Sequence, residues 1–467
     1  MNSTTQMFHK TNKLALLFLL ACSIQISAIT SNMTHRVMST SPLLYKMIDY
    51  SNNQTSYELE PIFSAAYDTA HINENIMLNG ESSLLLNQQG NGDINPYWLN
   101  LISNNGAANY NSILTFTPSL RQAGVLLHWY KQFKRSFLDI KTALVQCTSE
   151  ITLSEVGGDN GANTGILNAQ QAFTQSDWNY GKIGESNHVA GLDNIEIRFG
   201  ASGALHDQNE TSYNMFFSGF GIIEAPTGSG TKAEYLFEPQ VGTNHWGIGV
   251  GIEALLANND DLKFMMGANL RYLTPGLETR SFDLTENGQW SRYLLLQYIY
   301  NLPNTPIAGV AGINLFTQSA YIQGRIEFNA YTRLAKQVGN CLFELSYNYF
   351  YEQAETIKFI ETIMPGYGIY ALTGPAGGGG GTTTSSLATI NQDVTSLDAA
   401  PVELTTSMLN KSSGAAGAYG VNNLTARVEK VGDDFIYGCG ASIEVAQSAS
   451  AVSTWSVWAK FEFLFDN

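Results

Sequence analysis

The sequence predicts an all-β chain, a transmembrane antiparallel up-and-down β-barrel of about fourteen strands with long loops at one end, one of them folded inward. Three observations carry that prediction. Segments of about eleven residues alternate apolar and polar side chains with period two, as a strand does when its faces meet different solvents. The connections between these segments alternate long and short, the habit of a membrane barrel rather than of a sandwich. Charged residues make up only 14% of the 467 positions while aromatic residues reach 11%, a balance poorly suited to a water-facing globule.

Length alone allows two or three ordinary domains or one large β-structure. The formal charge of −16 repels phosphates and disfavours a nucleic-acid partner, and it suits a pore that prefers cations. Lys10 and Lys13 precede the apolar run 14–21, and Ile26-Ser27-Ala28 offers a small-residue cleavage site, so residues 1–28 read as a signal peptide. That run is too short to cross a bilayer. Leu19-Leu20-Ala21-Cys22, which loosely resembles a lipoprotein box, is an alternative processing site. Cys147, Cys341 and Cys439 then remain, an odd and sparse set that makes no disulfide framework. Cys341 and Cys439 fall in phase with apolar neighbours and read as buried small hydrophobes. No later segment approaches eighteen consecutive apolar residues, which argues against membrane helices.

After a polar leader, 29–56, the first strand at 57–67 sets Tyr57, Leu59, Phe63, Ala65 and Tyr67 against Glu58, Glu60 and Ser64. Residues 68–121 carry Leu84-Leu85-Leu86 and Pro96-Tyr97-Trp98-Leu99; a loop that long with apolar content seldom floats free, so it reads as a mouth or plug loop. Strands 122–132 and 136–145 are joined through Phe133-Lys134-Arg135. Ile195, Ile197, Phe199 and Ala201 oppose Glu196, Arg198 and Ser202, and 206–210 turns the chain into 213–223. The clearest middle strand, 246–256, sets Trp246, Ile248, Val250, Ile252 and Ala254 against Gly247, Gly249, Gly251 and Glu253, and returns through 258–261 as 262–273. Further strands are expected at 290–300, 306–316, 319–331, 341–351, 419–429 and 435–445. The face of 290–300 is ambiguous because Arg292 and Gln297 fall in opposite phases. The long loop 352–418 contains a run of glycines, 377–381, followed by Thr and Ser, and reads as a flexible, solvated segment or a site of surface attachment.

The closing strand, 452–465, puts Trp455, Val457, Ala459, Phe461, Phe463 and Phe465 on one face and Lys460 and Glu462 on the other. It resembles the terminal aromatic strand of bacterial outer-membrane β-barrels. The region 57–467 resembles porin-like barrels in pattern, and its strand count resembles the fatty-acid-transporter type. The resemblance implies an outer-membrane location with the leader and both termini in the periplasm. It also implies that Phe461, Phe463 and Phe465 form the signal read by the barrel-assembly machinery, that the partners are the lipid bilayer and small solutes, and that a homo-oligomer can form. In that orientation the inner turns are 133–135, 206–210, 258–261, 302–305, 332–340 and 432–434, all short. The outer connections are long apart from 317–318 and 447–453.

Ionised groups facing lipid at mid-depth cost about 2 to 4 kcal/mol for Arg or Lys, so the phase of each strand sends its charges inward. The expected lumen-lining residues are Asp139, Lys141, Glu196, Arg198, Glu253, Arg271, Arg325, Glu327, Glu344, Glu444, Lys460 and Glu462. Mixed signs at spacing two either fill a closed barrel or set a transverse field in a water-filled one. The leading functional reading is a porin-like channel for passive or weakly selective passage of small solutes. The alternative is a structural or adhesive surface barrel with a plugged lumen. Gly247, Gly249 and Gly251 lie inside a strand and make no dinucleotide turn, so they read as small lumen residues. The histidines lack metal-ligand spacing, and Asn91, Asp93 and Asn95 read as turn chemistry rather than a calcium loop. No cofactor, no metal and no enzymatic activity are therefore expected, although His206-Asp207 or His245 paired with a distant nucleophile is the arrangement a hydrolase would need.

Overall fold

The computed structural model describes residues 54–87, 91–101, 110–158, 166–205, 213–258, 262–300, 309–370, 384–393, 397, 402–448 and 450–466. The signal peptide, most of the leader, the turns at 206–210 and 302–305 and the glycine run at 377–381 lie outside the described residues, as does nearly all of the turn at 258–261.

Twelve strands close into one antiparallel barrel. They are β1 (Gln54–Ala66), β2 (Asn111–Phe133), β3 (Ser136–Gly157), β4 (Ile195–Leu205), β5 (Tyr213–Ala225), β6 (Gly247–Asn258), β7 (Leu262–Leu273), β8 (Arg325–Val338), β9 (Cys341–Glu352), β10 (Tyr419–Val431), β11 (Phe435–Ala446) and β12 (Thr454–Asp466). Each pairs with its sequence neighbours, and β1 closes the ring against β12 through pairs such as Tyr57↔Phe463 and Phe63↔Val457. Two more strands, Ser83–Asn87 and Ser186–Leu192, pair with β2 and β3 and bring the sheet to fourteen. Full closure leaves no unpaired edge in the bilayer, which a spanning sheet requires.

The alternation decides which side meets which solvent. On β6 the successive outward residues Ile248, Val250 and Ile252 are 60%, 64% and 68% exposed, whereas inward Glu253 is buried. A water-soluble protein has the opposite arrangement, so this exterior belongs in lipid. On β12 the outward apolar positions run from Trp455 to Phe465, about 33 Å along the strand and about 25 Å along the axis at the usual tilt. Arg121, Gln146 and Thr148 take outward positions higher on β2 and β3, so the upper parts of these long strands stand above the apolar band. The band carries aromatic residues at both rims, Trp246, Tyr272 and Trp455 at one and Phe133, Tyr437 and Phe465 at the other.

Several sequence expectations change. Residues 290–300 and 306–316 are not barrel strands: the first holds a 3-10 turn (Ser291–Tyr293) and a short strand (Leu295–Tyr298), the second a two-residue strand (Val310–Ala311) and a helix (Gly312–Phe316). Their conflicting phases arise because both are wrapped by other loops and have no lipid face. The segment 319–331 straddles an outer strand (Thr317–Ile322) and β8, so 317–318 is no turn. The presumed turn at 332–340 is mostly strand, since β8 runs to Val338 and turns at Gly339 (φ 60°) and Asn340. Cys439 is exposed on the outer face of β11, and Cys341 is half-buried at the start of β9; among the described cysteines only Cys147 is buried. No described helix is long and apolar enough to cross a membrane.

The long connections all lie at one end and pack into a cap. Helix α1 (Thr69–Ile76) is N-capped by Asp68, whose side chain accepts from His71 N, and buries Ile72 and Ile76. An aromatic cluster forms the core of the cap: Trp178 stacks on Tyr293 at 5.1 Å, and Trp290 lies 5.3 Å from Tyr293 and 6.0 Å from Phe173. Trp290 holds a left-handed backbone (φ 60°), uncommon for so large a residue, and its indole donates to Ile76 O at 3.3 Å. Residues 226–246 reach over the inward face of β3, where Ser149 Oγ donates to Phe237 O at 2.6 Å. Leu236, Phe237 and Val241 of this loop share one buried core with Ile72, Ile76, Trp98 and Leu99. Asp93 and Asn95 accept from Leu85 N and Tyr97 N, which is turn chemistry.

Candidate functional site: the barrel lumen

Inward positions on the twelve strands bring the charges of the chain together. All twelve residues singled out from strand phase lie inside the barrel wall and are buried. Ten of the twelve belong to two arcs of ion pairs along the lumen wall, because strands hydrogen-bonded in register bring their inward charges to matching height.

One arc lies on β1, β8, β9, β10 and β12. Lys460 Nζ sits 3.1 Å from Glu429, 3.1 Å from Glu462 and 3.7 Å from Glu58. Arg427 pairs with Glu344 at 2.6 Å and Glu429 at 3.3 Å, and Arg333 lies 3.6 Å from Glu344. The second arc lies on β3, β4, β5, β6, β7 and β8. Arg198 holds Asp139 at 2.9 Å and Glu253 at 3.3 Å while its guanidinium covers the Phe220 ring at 4.5 Å. Lys141 lies 3.4 Å from Glu196, and Arg271 ties Glu196, Glu224 at 2.8 Å and Glu327 at 3.7 Å. His128 joins the arcs, with Asp139 2.7 Å from one ring nitrogen and Glu58 3.4 Å from the other. Tyr331 donates to Glu253 and brings β8 into the second arc.

Two of the twelve stand apart from these arcs. Arg325 pairs with Glu352 and lies 3.5 Å from Glu355, at the mouth. Glu444 accepts from Tyr419 Oη at 3.1 Å and Asn423 Nδ2 at 3.3 Å. Sequence reasoning did not select Glu58, Glu60, His128, Glu224, Arg333, Arg427 or Glu429. All follow the same alternation, and Arg333 was missed only because its segment was read as a turn. The glycines of β6 leave space that neighbours use: a Cβ on Gly251 would meet Phe220, and one on Gly249 would meet Arg271.

Above the band a third cluster locks the cap to the wall. His245 donates through Nδ1 to Thr274 O (2.7 Å) and its Nε2 lies 2.8 Å from a Glu278 oxygen, so both ring nitrogens are engaged in structural contacts. Arg280 pairs with Glu278 and, at 3.1 Å, with both oxygens of Glu355. Burial alone raises the Glu278 carboxyl, but Arg280, His245 and Arg325 overcome it and hold the group at about 2, below its ordinary 4.5. A depressed carboxyl contributes its full stability above pH 4.5 and loses it as the pH falls toward 2. Tryptophan fluorescence of the cap is therefore expected to report a loosening in that window, and Glu278→Gln to remove this part of the acid titration.

No family model and no curated protein matches the chain. Among solved structures, an outer-membrane channel from Pseudomonas putida F1 aligns with 91% of this chain and 99% of its own at 8% identity and a TM-score of 0.42. The translocator domain of the autotransporter NalP from Neisseria meningitidis aligns over 89% of both chains at 7% identity and TM-score 0.32. The monoaromatic hydrocarbon channel CymD aligns over 89% of this chain and 90% of its own, at 6% identity and TM-score 0.26. Likeness this distant carries no argument about what crosses the lumen; the outer-membrane β-barrel character rests on the closed sheet, its apolar exterior and its charged interior.

Proposed function

We propose that the barrel is a channel for small solutes across the outer membrane, with its termini and short turns in the periplasm and its capped end outside. The observation that carries this reading is the continuous ion-paired wall of the lumen. A purely structural barrel is served as well or better by packed hydrocarbon, since exchanging buried ion pairs for apolar residues of similar volume is often neutral or stabilising. We read the structure as a closed state, a reading supported by the burial of the lumen charges and by the packing of residues 226–246 against the inward face of β3. Opening requires those loops to move and lets water reach charges that already line the route. In the same orientation Phe461, Phe463 and Phe465 face lipid at the periplasmic rim, where assembly factors read a closing strand.

Purified protein in a planar bilayer is expected to give stepwise conductance. Glu444→Gln, whose single amide oxygen keeps one of the two bonds that Glu444 receives on separate oxygens from Tyr419 and Asn423, is expected to assemble normally and to reduce the preference for cations. A second reading, a plugged barrel that anchors a surface-exposed cap, draws on the aromatic core at 178, 290 and 293. Silence in the bilayer at high protein concentration would favour that reading over the channel.

A further inference from the structure

The first arc of the lumen network is unbalanced. Five carboxylates, those of Glu58, Glu60, Glu344, Glu429 and Glu462, face three permanent cations, Lys460, Arg427 and Arg333. Four of the five carboxylates lie within ion-pair distance of one of those cations; Glu60 does not.

Glu60 is 0% exposed, and apart from the Glu58 carboxyl beside it no described protein group hydrogen-bonds to its oxygens. Its direction is fixed by its strand: Leu59 and Phe63 point to lipid, so Glu60 points into the lumen beside Glu58 on the same face. Across the strands it stands opposite Leu126 on β2, an apolar side chain that offers it no donor. Two adjacent buried carboxylates cost several kcal/mol unless a proton or another positive charge comes to them. Three or more His, Cys, Asp or Glu side chains do not converge as a metal-holding group among the described residues, so a divalent metal with its fuller ligand set is not what this geometry suits.

We propose that Glu60, with Glu58 beside it, forms a monovalent-cation site in the lumen wall, taking an alkali-metal or ammonium-type ion. This deepens the channel reading by naming a class of solute and rests on it for any role in passage, but the site itself does not require conduction. An ion there neutralises the surplus of the arc, supplies the charge that Lys460 and Arg427 leave unmet, and marks a stopping point on a cation route.

The test measures thermal unfolding of the refolded full chain in detergent, with potassium chloride exchanged for N-methyl-D-glucamine chloride at constant ionic strength and pH. Potassium is expected to raise the unfolding temperature of the wild type by several degrees and to leave Glu60→Gln unmoved. Equal unfolding temperatures in the two salts overturn the site, and so does a potassium effect of the same size in Glu60→Gln, which would be general screening. If the wild type ignores the salt and Glu60→Gln is simply more stable, Glu60 holds a proton and the cation site is wrong. Bilayer recordings separate the two proposals: silence there removes the channel and leaves the thermal result standing, whereas conductance without a potassium-dependent shift removes only the site.

Discussion

Replacing Arg271 by methionine is expected to destabilise the barrel by about 3–5 kcal/mol, the usual consequence of removing one partner from a buried charge network. Arg271 stands on β7 and holds Glu196 of β4, Glu224 of β5 and Glu327 of β8, so its loss leaves Glu224 and Glu327 buried without an ion pair and Glu196 with Lys141 and Arg198 alone. The cost arises from those stranded charges rather than from the bonds themselves. Adding Glu224→Gln and Glu327→Gln to Arg271→Met is therefore expected to recover much of the loss. Urea unfolding followed by the gel-mobility difference between folded and unfolded barrel measures both. A loss below about 1 kcal/mol for Arg271→Met would mean that water reaches these carboxylates and that the lumen is open at rest.

Ala459→Arg is expected to impair insertion by about 2–4 kcal/mol, because Ala459 lies midway along the outward face of β12, between Val457 and Phe461. Its neighbour Lys460 points the other way into three carboxylates, so one step along the strand exchanges lipid for ion pairs. Ala459→Leu, which keeps the lipid face apolar, is expected to insert as the wild type does. Folding yield into vesicles separates the two variants. Equal yields would place this face against protein rather than lipid and require a second copy to cover it.

The facing of the strands was legible because it depends only on period-two alternation. Ile248, Val250 and Ile252 had to share a side, Glu253 had to take the other, and the bilayer settles which is which. For the same reason strand phase alone sent Asp139, Arg198, Arg271 and Lys460 to the interior. Segments with no lipid face gave no such signal. Residues 290–316 have the apolar content of strands, yet Trp290, Tyr293 and Ile313 are buried among other loops rather than against the bilayer. Periodicity does not distinguish burial in a cap from exposure to lipid.

By itself the sequence determined the class of fold, the lipid and lumen faces of the strands, and the end of the barrel at which the long loops gather. Each of these follows from local alternation and loop length. Only the tertiary structure decided the partners. His128 meets both Glu58, 70 positions away, and Asp139 because β1, β2 and β3 are neighbours in register. It also decided that the ring closes at twelve strands, and that Glu60 alone among the carboxylates of its arc has no cation within ion-pair distance. Pairing across a closed sheet depends on register and closure, and these are properties of the whole ring rather than of any one strand.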